Sequence, residues 1–213
     1  MQGFEDRFAD FPDYIIQITR DIWEGRGVAR LDDWYASDLI FRLASGIGVG
    51  RADVVRGTLA TLHEFPDRQL LAEDVIWSGS PEVGMLSSHR IISTVTHAGD
   101  GAFGPATGKK ITYRAIADCY AKDNQISDEW LIRDNGAVVR QMGYDPKEWA
   151  RGKVEAGGGA VFTPAIDIEG PYQGRGNDNA WGQAYASILT RMMSAEFSVI
   201  PEQYDRACHL EYP

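Results

Sequence analysis

The chain has 213 residues, of which 44% are hydrophobic and 11% aromatic, and its formal net charge is −10. This composition is typical of a packed globular protein and excludes an intrinsically disordered chain. The negative charge argues against nucleic acid and anionic membranes as partners, because both require a basic contact surface. A neutral or apolar small molecule is therefore the favoured ligand class.

The N-terminal region and the cysteines indicate a cytoplasmic location. Residues 1–14 are acidic and lack the apolar run of a signal peptide. No segment approaches the roughly 18 consecutive apolar residues that a membrane-spanning helix needs. Cys119 and Cys208 form no CxxC pair, so we expect both to be reduced thiols, with a disulfide between them as the less favoured alternative.

The first third of the chain predicts three helices and one strand. Apolar residues recur at helical spacing from Phe8 to Ile22, which predicts an amphipathic helix over residues 8–23. A second, short helix is expected over "ARLDDWYA" and a strand over "DLIFRLA", residues 38–44. The segment "GRADVVRGTLATLHEFP" predicts a third helix, one face of which carries Val55, Leu59 and Leu62.

Four strands joined by hairpins are predicted next. Their segments are "RQLLAEDVIWSG", "VGMLSSHRIISTVTHAG", "KKITYRAIADCYA" and "ISDEWLIRD". The residues "KDNQ" make a tight reversal before the last of them. Helices that are segregated in this way from a run of strands indicate an α+β fold, with the helices on one face of a curved antiparallel sheet and a pocket between the two layers.

A Gly/Pro-rich segment divides the chain. We expect a first domain over residues 1–152, a linker over 153–179, and a helical segment over 180–213. The last segment echoes the start of the chain at an offset of 171, so that Tyr14 falls on Tyr185. It therefore resembles the beginning of a second, incomplete repeat of the first domain.

The element order and several motifs resemble the NTF2-like fold and, within it, the SnoaL-like polyketide cyclase family. The resemblance covers roughly residues 8–145, and its most specific pieces are "PATGKK" and "RQMG". It implies a cone formed by a curved antiparallel sheet on three helices around a pocket. It also implies a homodimer, a small hydrophobic ligand, no metal and no organic cofactor.

The same resemblance implies a particular acid/base pair, which this chain does not carry at the matching positions. Enzymes of the family close rings by an aldol step, using an aspartate on the last strand and a histidine on the neighbouring strand. Those positions hold Leu131 and Ala117 here. Neither side chain can take or give the protons that an aldol closure requires. His97 matches a histidine that the family commonly has at the end of the long strand.

Strand alternation selects the residues that face the pocket. If Leu131 points inward, Glu129 and Arg133 do so too, whereas Asp128, Trp130 and Asp134 point outward. On the preceding strand Tyr113, Ala115, Ala117 and Cys119 share the inward parity. Glu129 is then the only inward carboxylate of the last strand, where burial would raise its pKa and suit it to acid/base catalysis. The alternative is an exposed Glu129, or one that is paired with Arg133.

The remaining candidates each have a functional and a structural interpretation. His97 either orients Glu129 or holds a loop, and Tyr113 either binds a ligand carbonyl or packs in the core. Trp34 and Tyr35 are expected in the pocket wall. Three further residues have mainly structural interpretations: His89 in the core or at the surface, Asp134 as a helix cap, and Trp130 at a dimer interface.

Two functions follow from these observations. The first is a cofactor-independent, cyclase-type enzyme that acts on a small hydrophobic carbonyl compound, with Glu129 and His97 as catalytic residues. Its substrate would contact Tyr113, Leu131, Ala117, Arg133, Trp34 and Tyr35. The second is a non-catalytic module that binds a small molecule or dimerises. The four histidines lack the spacing of metal ligands, so no metal site is predicted.

Overall fold

The structure is a computed structural model that describes residues 1–158 and 180–193. The chain divides into two units, Met1–Tyr172 and Gln173–Pro213. The described part of the second unit is one helix, α6, over Ala180–Met193. Residues 159–179 and 194–213 lie outside the described residues, and with them most of the predicted linker and the end of the predicted second repeat.

The described part of the first unit, residues 1–158, combines five α-helices with one six-stranded sheet. The helices are α1 (Phe11–Thr19), α2 (Leu31–Trp34), α3 (Arg51–Glu64), α4 (Asn135–Gln141) and α5 (Pro146–Ala156). The strands are β1 (Tyr35–Leu43), β2 (Gly46–Val49), β3 (Gln69–Ser80), β4 (Gly84–Thr96), β5 (Lys110–Lys122) and β6 (Gln125–Arg133). The strand order is β2-β1-β6-β5-β4-β3, and the curved sheet does not close on itself. The predicted α+β fold is therefore confirmed.

The N-terminal helix starts later than predicted. The Asp10 side chain accepts a hydrogen bond from the Asp13 amide and so caps α1, which begins at Phe11. The helix continues as a π-helical turn over Arg20–Glu24 and stops at Gly25. Its apolar face is buried as the spacing predicted, and it forms the main core together with α2, the start of β1 and the ends of β4 to β6.

Two features of the sheet differ from the prediction. β1 begins at Tyr35, earlier than expected, and pairs in parallel with β6, so the sheet is not purely antiparallel. It also pairs with β2, a strand that the sequence analysis missed because two of its four residues are glycines, which rarely favour strands. Gly48 is needed there, since a Cβ atom would lie 2.1 Å from the Phe41 ring.

The predicted apolar face of α3 is only partly buried. Val55 packs against the main core, but Leu59 is 53% exposed, and the cavity is lined instead by Val54, Gly57, Thr58 and Thr61. The reason is that α3 covers a cavity instead of a filled core, so its inner face does not need the largest apolar side chains.

The chain after β6 forms two helices. The Asp134 carboxylate accepts a hydrogen bond of 2.8 Å from the Ala137 amide, which confirms Asp134 as the cap of α4. α5 was missed, although Asp145 and Pro146 form a regular helix start. α5 ends at Ala156, so the first residues of the predicted linker, 153–156, are helical. None of the described helices has the length and apolar character needed to cross a membrane.

Candidate active site

A cavity of about 160 Å³ lies between the inner face of the sheet, α1 and α3. Its walls are mostly apolar and include Ile15, Ile18, Phe41, Leu70, Ile91 and Ile126. A small number of polar side chains interrupts this apolar wall. Such a combination is typical of sites that bind small molecules, because the apolar wall supplies affinity and the polar groups fix orientation.

The structure brings six of the eight predicted site residues to this cavity. They are Tyr35, Tyr113, Ala117, Glu129, Leu131 and Arg133. The inward parity predicted for β5 and β6 is therefore confirmed. Ala117 and Leu131 are direct partners across the two strands, so the two positions for which the sequence resemblance implied a histidine and an aspartate are adjacent in the cavity wall.

Glu129 lies deep in the cavity wall and is only 7% exposed. It sits between Cys119 on β5 and Phe41 on β1. Burial raises the pKa of Glu129 to about 7, and the negative charge of Asp128 acts in the same direction. The positive charge of Arg133 and a hydrogen bond from Tyr35 oppose the rise in pKa. A carboxyl group in this environment can exchange a proton near neutral pH.

The groups nearest to Glu129 remain protonated at neutral pH. Burial and the neighbouring Glu129 charge raise the pKa of the Tyr35 hydroxyl well above its ordinary value. The same two causes raise the pKa of the Cys119 thiol, which argues against a thiolate nucleophile at this position. Tyr35 is thus a hydrogen-bond donor toward Glu129.

His89 is a cavity residue whose position the sequence left undecided. It is 1% exposed, lines the cavity, and its Nε2 atom has no hydrogen-bond partner among the described residues. Burial lowers the pKa of His89 to about 4, so the ring is neutral at physiological pH. Its direct partner on β5 is Ala117. A neutral imidazole with an unused nitrogen can donate a hydrogen bond to a ligand or accept one from it.

Arg68 is a cavity residue that the sequence analysis missed. It lies one residue before β3, is 5% exposed, and its Nε atom has no hydrogen-bond partner in the part of the chain that the structure describes. No sequence signal distinguished it from a surface arginine at the edge of a strand. The parity of His89 with Ile91, by contrast, was a usable signal, because β4 pairs with the inward-facing β5.

His97 does not line the cavity and instead anchors a loop. Its Nδ1 atom lies 3.1 Å from the Thr107 hydroxyl oxygen, and its Nε2 atom lies 3.3 Å from Glu64 Oε1, without the alignment of a hydrogen bond. The Glu64 carboxylate accepts hydrogen bonds from the amides of Ala102 and Phe103. These contacts hold the loop between β4 and β5 and correspond to the structural interpretation of His97.

Trp34 is also outside the cavity wall. Its ring is fully buried in the main core, with the Arg7 and Arg30 guanidinium groups over its faces. Its indole nitrogen donates a hydrogen bond of 2.7 Å to Glu5. The side chain points away from the cavity because α2 ends at Trp34 and the inward-facing strand begins one residue later, at Tyr35.

Asp128 and Asp134, the two carboxylates that lie close to Glu129 in sequence, have structural partners. Asp128 accepts hydrogen bonds from Arg42, both at 2.8 Å, on the outer face of the sheet, and Asp134 caps α4. Within residues 1–158 and 180–193, no three His, Cys, Asp or Glu side chains come together as a potential metal site.

Solved structures of known proteins share this fold. Among solved structures, AclR from Streptomyces galilaeus is 17% identical with a TM-score of 0.53, over 62% of this chain and 94% of its own. IdmH from Streptomyces antibioticus is 20% identical with a TM-score of 0.53, over 62% and 97%. A SnoaL-like polyketide cyclase from Agrobacterium tumefaciens is 15% identical with a TM-score of 0.52, over 62% and 97%.

Identities at this level establish the fold alone, and a comparison with curated proteins gave no match. The family itself follows from sequence. The family model described as SnoaL-like polyketide cyclase matches residues 13–142, which is more than half of the chain and includes every cavity residue discussed above. The chain therefore belongs to the SnoaL-like polyketide cyclase family.

Proposed function

We propose that this protein is a cyclase-type enzyme that uses acid/base chemistry, without a cofactor, on a small carbonyl compound bound in the cavity. The observation that carries the proposal is the Glu129 carboxyl group, buried in a ligand-sized cavity with a pKa of about 7. A general acid or base works best when its pKa lies near the working pH. Glu129 meets that condition.

The proposed reaction begins with proton transfer to Glu129. The ionised carboxylate removes a proton from the carbon next to the substrate carbonyl, and a hydrogen-bond donor stabilises the negative charge that develops on the carbonyl oxygen. The neutral His89 ring and the Tyr113 hydroxyl are two of the donors in the cavity wall, and we assign this role to them. The enolate carbon then attacks a second carbonyl carbon of the same molecule, which closes the ring and leaves an alkoxide, and the protonated Glu129 returns its proton to that alkoxide.

The positions of Glu129 and His89 support a rearranged catalytic pair. The family resemblance places an aspartate at Leu131 and a histidine at Ala117. In this chain a carboxylate lies two residues earlier on the same strand, and a histidine lies directly opposite Ala117 on β4. We propose that Glu129 and His89 together supply the two functions that Leu131 and Ala117 cannot.

An assay with a simple model ketone, which does not require the natural substrate to be known, tests this proposal. The α-protons of 2-tetralone, a small apolar ketone, exchange with D2O when a base removes them, and NMR follows the loss of their signal. We expect the protein to accelerate exchange and Glu129→Gln to lower the acceleration by about 100-fold or more. Glu155→Gln makes the same chemical change on the exposed surface of α5 and should retain full activity. Equal exchange by the wild type and Glu129→Gln would rule out the acid/base role.

A non-catalytic binding module is the second candidate. The observation that favours it is the pair of inert side chains, Leu131 and Ala117, at the adjacent wall positions where the family has its acid/base groups. It predicts ligand binding with no proton exchange above the rate in buffer. The same assay therefore separates the two functions.

We further propose that a second copy of the chain covers the outer face of the sheet. Ile116 and Ile132 are neighbours across β5 and β6, and Trp130 lies beside them, with all three partly exposed. Exposed apolar residues that cluster on a sheet face are typical of an interface. Light scattering should give twice the chain mass, and Ile132→Asp should give a single chain mass. A wild-type monomer would contradict the proposal.

The cytoplasmic location stays a prediction.

A further inference from the structure

One end of the cavity is cationic. Arg133 ends β6 and pairs with Ala115, whereas Arg68 precedes β3 and lies close enough to Arg133 for the two positive charges to influence each other. Both arginines line the cavity. Glu129 and Arg133 are four residues apart on the same strand, so their Cα atoms are separated by about 13 Å at the usual rise per residue. The cavity is therefore polarised along β6, with an acid/base group toward one end and positive charge at the other.

Neither cation forms an ion pair within the described part of the chain, although the charge of Arg133 acts on Glu129 from a distance. No carboxylate oxygen of residues 1–158 or 180–193 lies within ion-pair distance of Arg68 or Arg133, and the buried Arg68 Nε atom has no acceptor. Arg114, by contrast, donates hydrogen bonds of 2.9 Å to the Glu73 carboxylate. Burying a charge without a partner opposes folding, so such a group commonly serves a ligand.

The Asp53 carboxylate, which also lines the cavity, does not form an ion pair with Arg68 or Arg133. Asp53, the second carboxylate in the wall, lies in the first turn of α3 and is ion-paired with Arg56. Burial lowers the pKa of Arg68 only to about 10, so its side chain remains positively charged at neutral pH. The arginine end of the cavity thus offers several N–H donors and a positive charge to whatever molecule enters.

We infer that the ligand of this cavity carries a carboxylate, which binds Arg68 and Arg133 while the apolar body of the molecule extends along the wall toward Glu129. Arginine is suited to this task because its planar guanidinium group donates two parallel hydrogen bonds to a carboxylate. The inference rests on the proposed function and specifies its substrate class as an apolar keto acid. It replaces the expectation of an uncharged ligand.

Paired binding measurements with 2-naphthoate and 2-naphthamide test the inference. The two probes share one aromatic body and differ in the charge of the head group. At about pH 6 an aromatic carboxylic acid is ionised, whereas Glu129 is mostly protonated and repels it little. Calorimetry on the wild type should show that the acid binds roughly tenfold or more tightly than the amide, as expected of a charge-assisted hydrogen bond.

Three variants assign the preference to its residues. Arg68→Met keeps the length and apolar stem of the side chain and should abolish the preference for the acid. Arg133→Met should reduce it, which keeps the inference testable if Arg68→Met fails to fold. Arg140→Met removes the same charge from the exposed surface of α4 and should leave the preference unchanged.

The outcomes separate this inference from the proposed function. Equal binding of both probes, binding of neither, or a preference for the acid that survives in both cavity variants would overturn the inference. The tetralone assay uses an uncharged ketone, so its proton exchange does not require a carboxylate bound to Arg68 and Arg133. If the protein prefers the carboxylate but does not accelerate proton exchange, the inferred carboxylate ligand stands and the proposed enzymatic activity is wrong.

Discussion

Replacing Glu129 by Gln should stabilise the protein above neutral pH and change its stability little in acid. Glu129 is 7% exposed, and its pKa rises from 4.5 in a solvated chain to about 7 in the folded protein. A carboxyl group whose folded-state pKa is raised stabilises the fold fully below its unfolded pKa, and that contribution disappears as the pH rises through the folded pKa. The window here runs from about pH 4.5 to about pH 7.

The expected magnitude follows from the pKa values. A rise from 4.5 to about 7 corresponds to on the order of 3 kcal/mol of folding free energy that the wild type loses across the window. Gln has the same shape and does not ionise, so its variant keeps that free energy. Relative to the wild type, Glu129→Gln should therefore gain about 2 to 3 kcal/mol between about pH 5 and about pH 8.5.

Urea denaturation of the wild type and the variant at both pH values measures this difference. Comparing the two proteins at one pH cancels the effect of every other titrating group. The exposed Glu155→Gln provides the matched control and should show the same difference from the wild type at both pH values. If Glu129→Gln also shows a pH-independent difference, Glu129 is not held in a desolvated site and the reasoning fails.

Two further predictions concern the frame around the cavity. Asp134→Ala removes the cap on the Ala137 amide and should lower the free energy of unfolding, measured by urea denaturation, by about 1 kcal/mol. Asp134→Asn should retain most of the wild-type stability. Equal stability of the Ala and Asn variants would contradict the cap. Glu64→Gln weakens the acceptor for the amides of Ala102 and Phe103 and should cost about 1 to 3 kcal/mol. It should also accelerate hydrogen exchange at both amides, and unchanged exchange would show that the loop is held by other contacts.

The cavity-facing residues of β5 and β6 could be predicted because strand geometry is local. Side chains alternate with a period of two, so one inward residue, Leu131, fixed the orientation of Glu129 and Arg133. The turn at Asp123 and Asn124 then fixed the pairing of the two strands, and with it Tyr113 and Cys119. No contact between distant segments was needed to reach this result.

Features that depend on distant contacts could not be predicted. The parallel pairing of β1 with β6 joins segments about ninety residues apart, and β2 exists because Gly48 fits under the Phe41 ring. The inner face of α3 is determined by the cavity it covers. Arg68 reaches the cavity through tertiary packing at the edge of β3, for which a single arginine in sequence gives no signal.

A carboxylate-binding end and an acid/base end fit one reaction scheme. An anionic head group held at Arg68 and Arg133 would fix the substrate in one orientation and so place its carbonyl carbon near Glu129. Fixing a reacting group beside a base contributes to catalysis independently of the proton transfer itself. The scheme therefore gives the two arginines a positioning role and Glu129 the chemical one.

The ionisation of Glu129 is the central claim, and an NMR titration measures it most directly. Glutamate labelled with 13C at the side-chain carboxyl carbon gives one signal for each residue, and the signal that is missing from Glu129→Gln identifies Glu129. We expect its titration midpoint near pH 7. A midpoint near 4.5, the ordinary value of a solvated glutamate, would contradict the buried acid/base site and the function built on it.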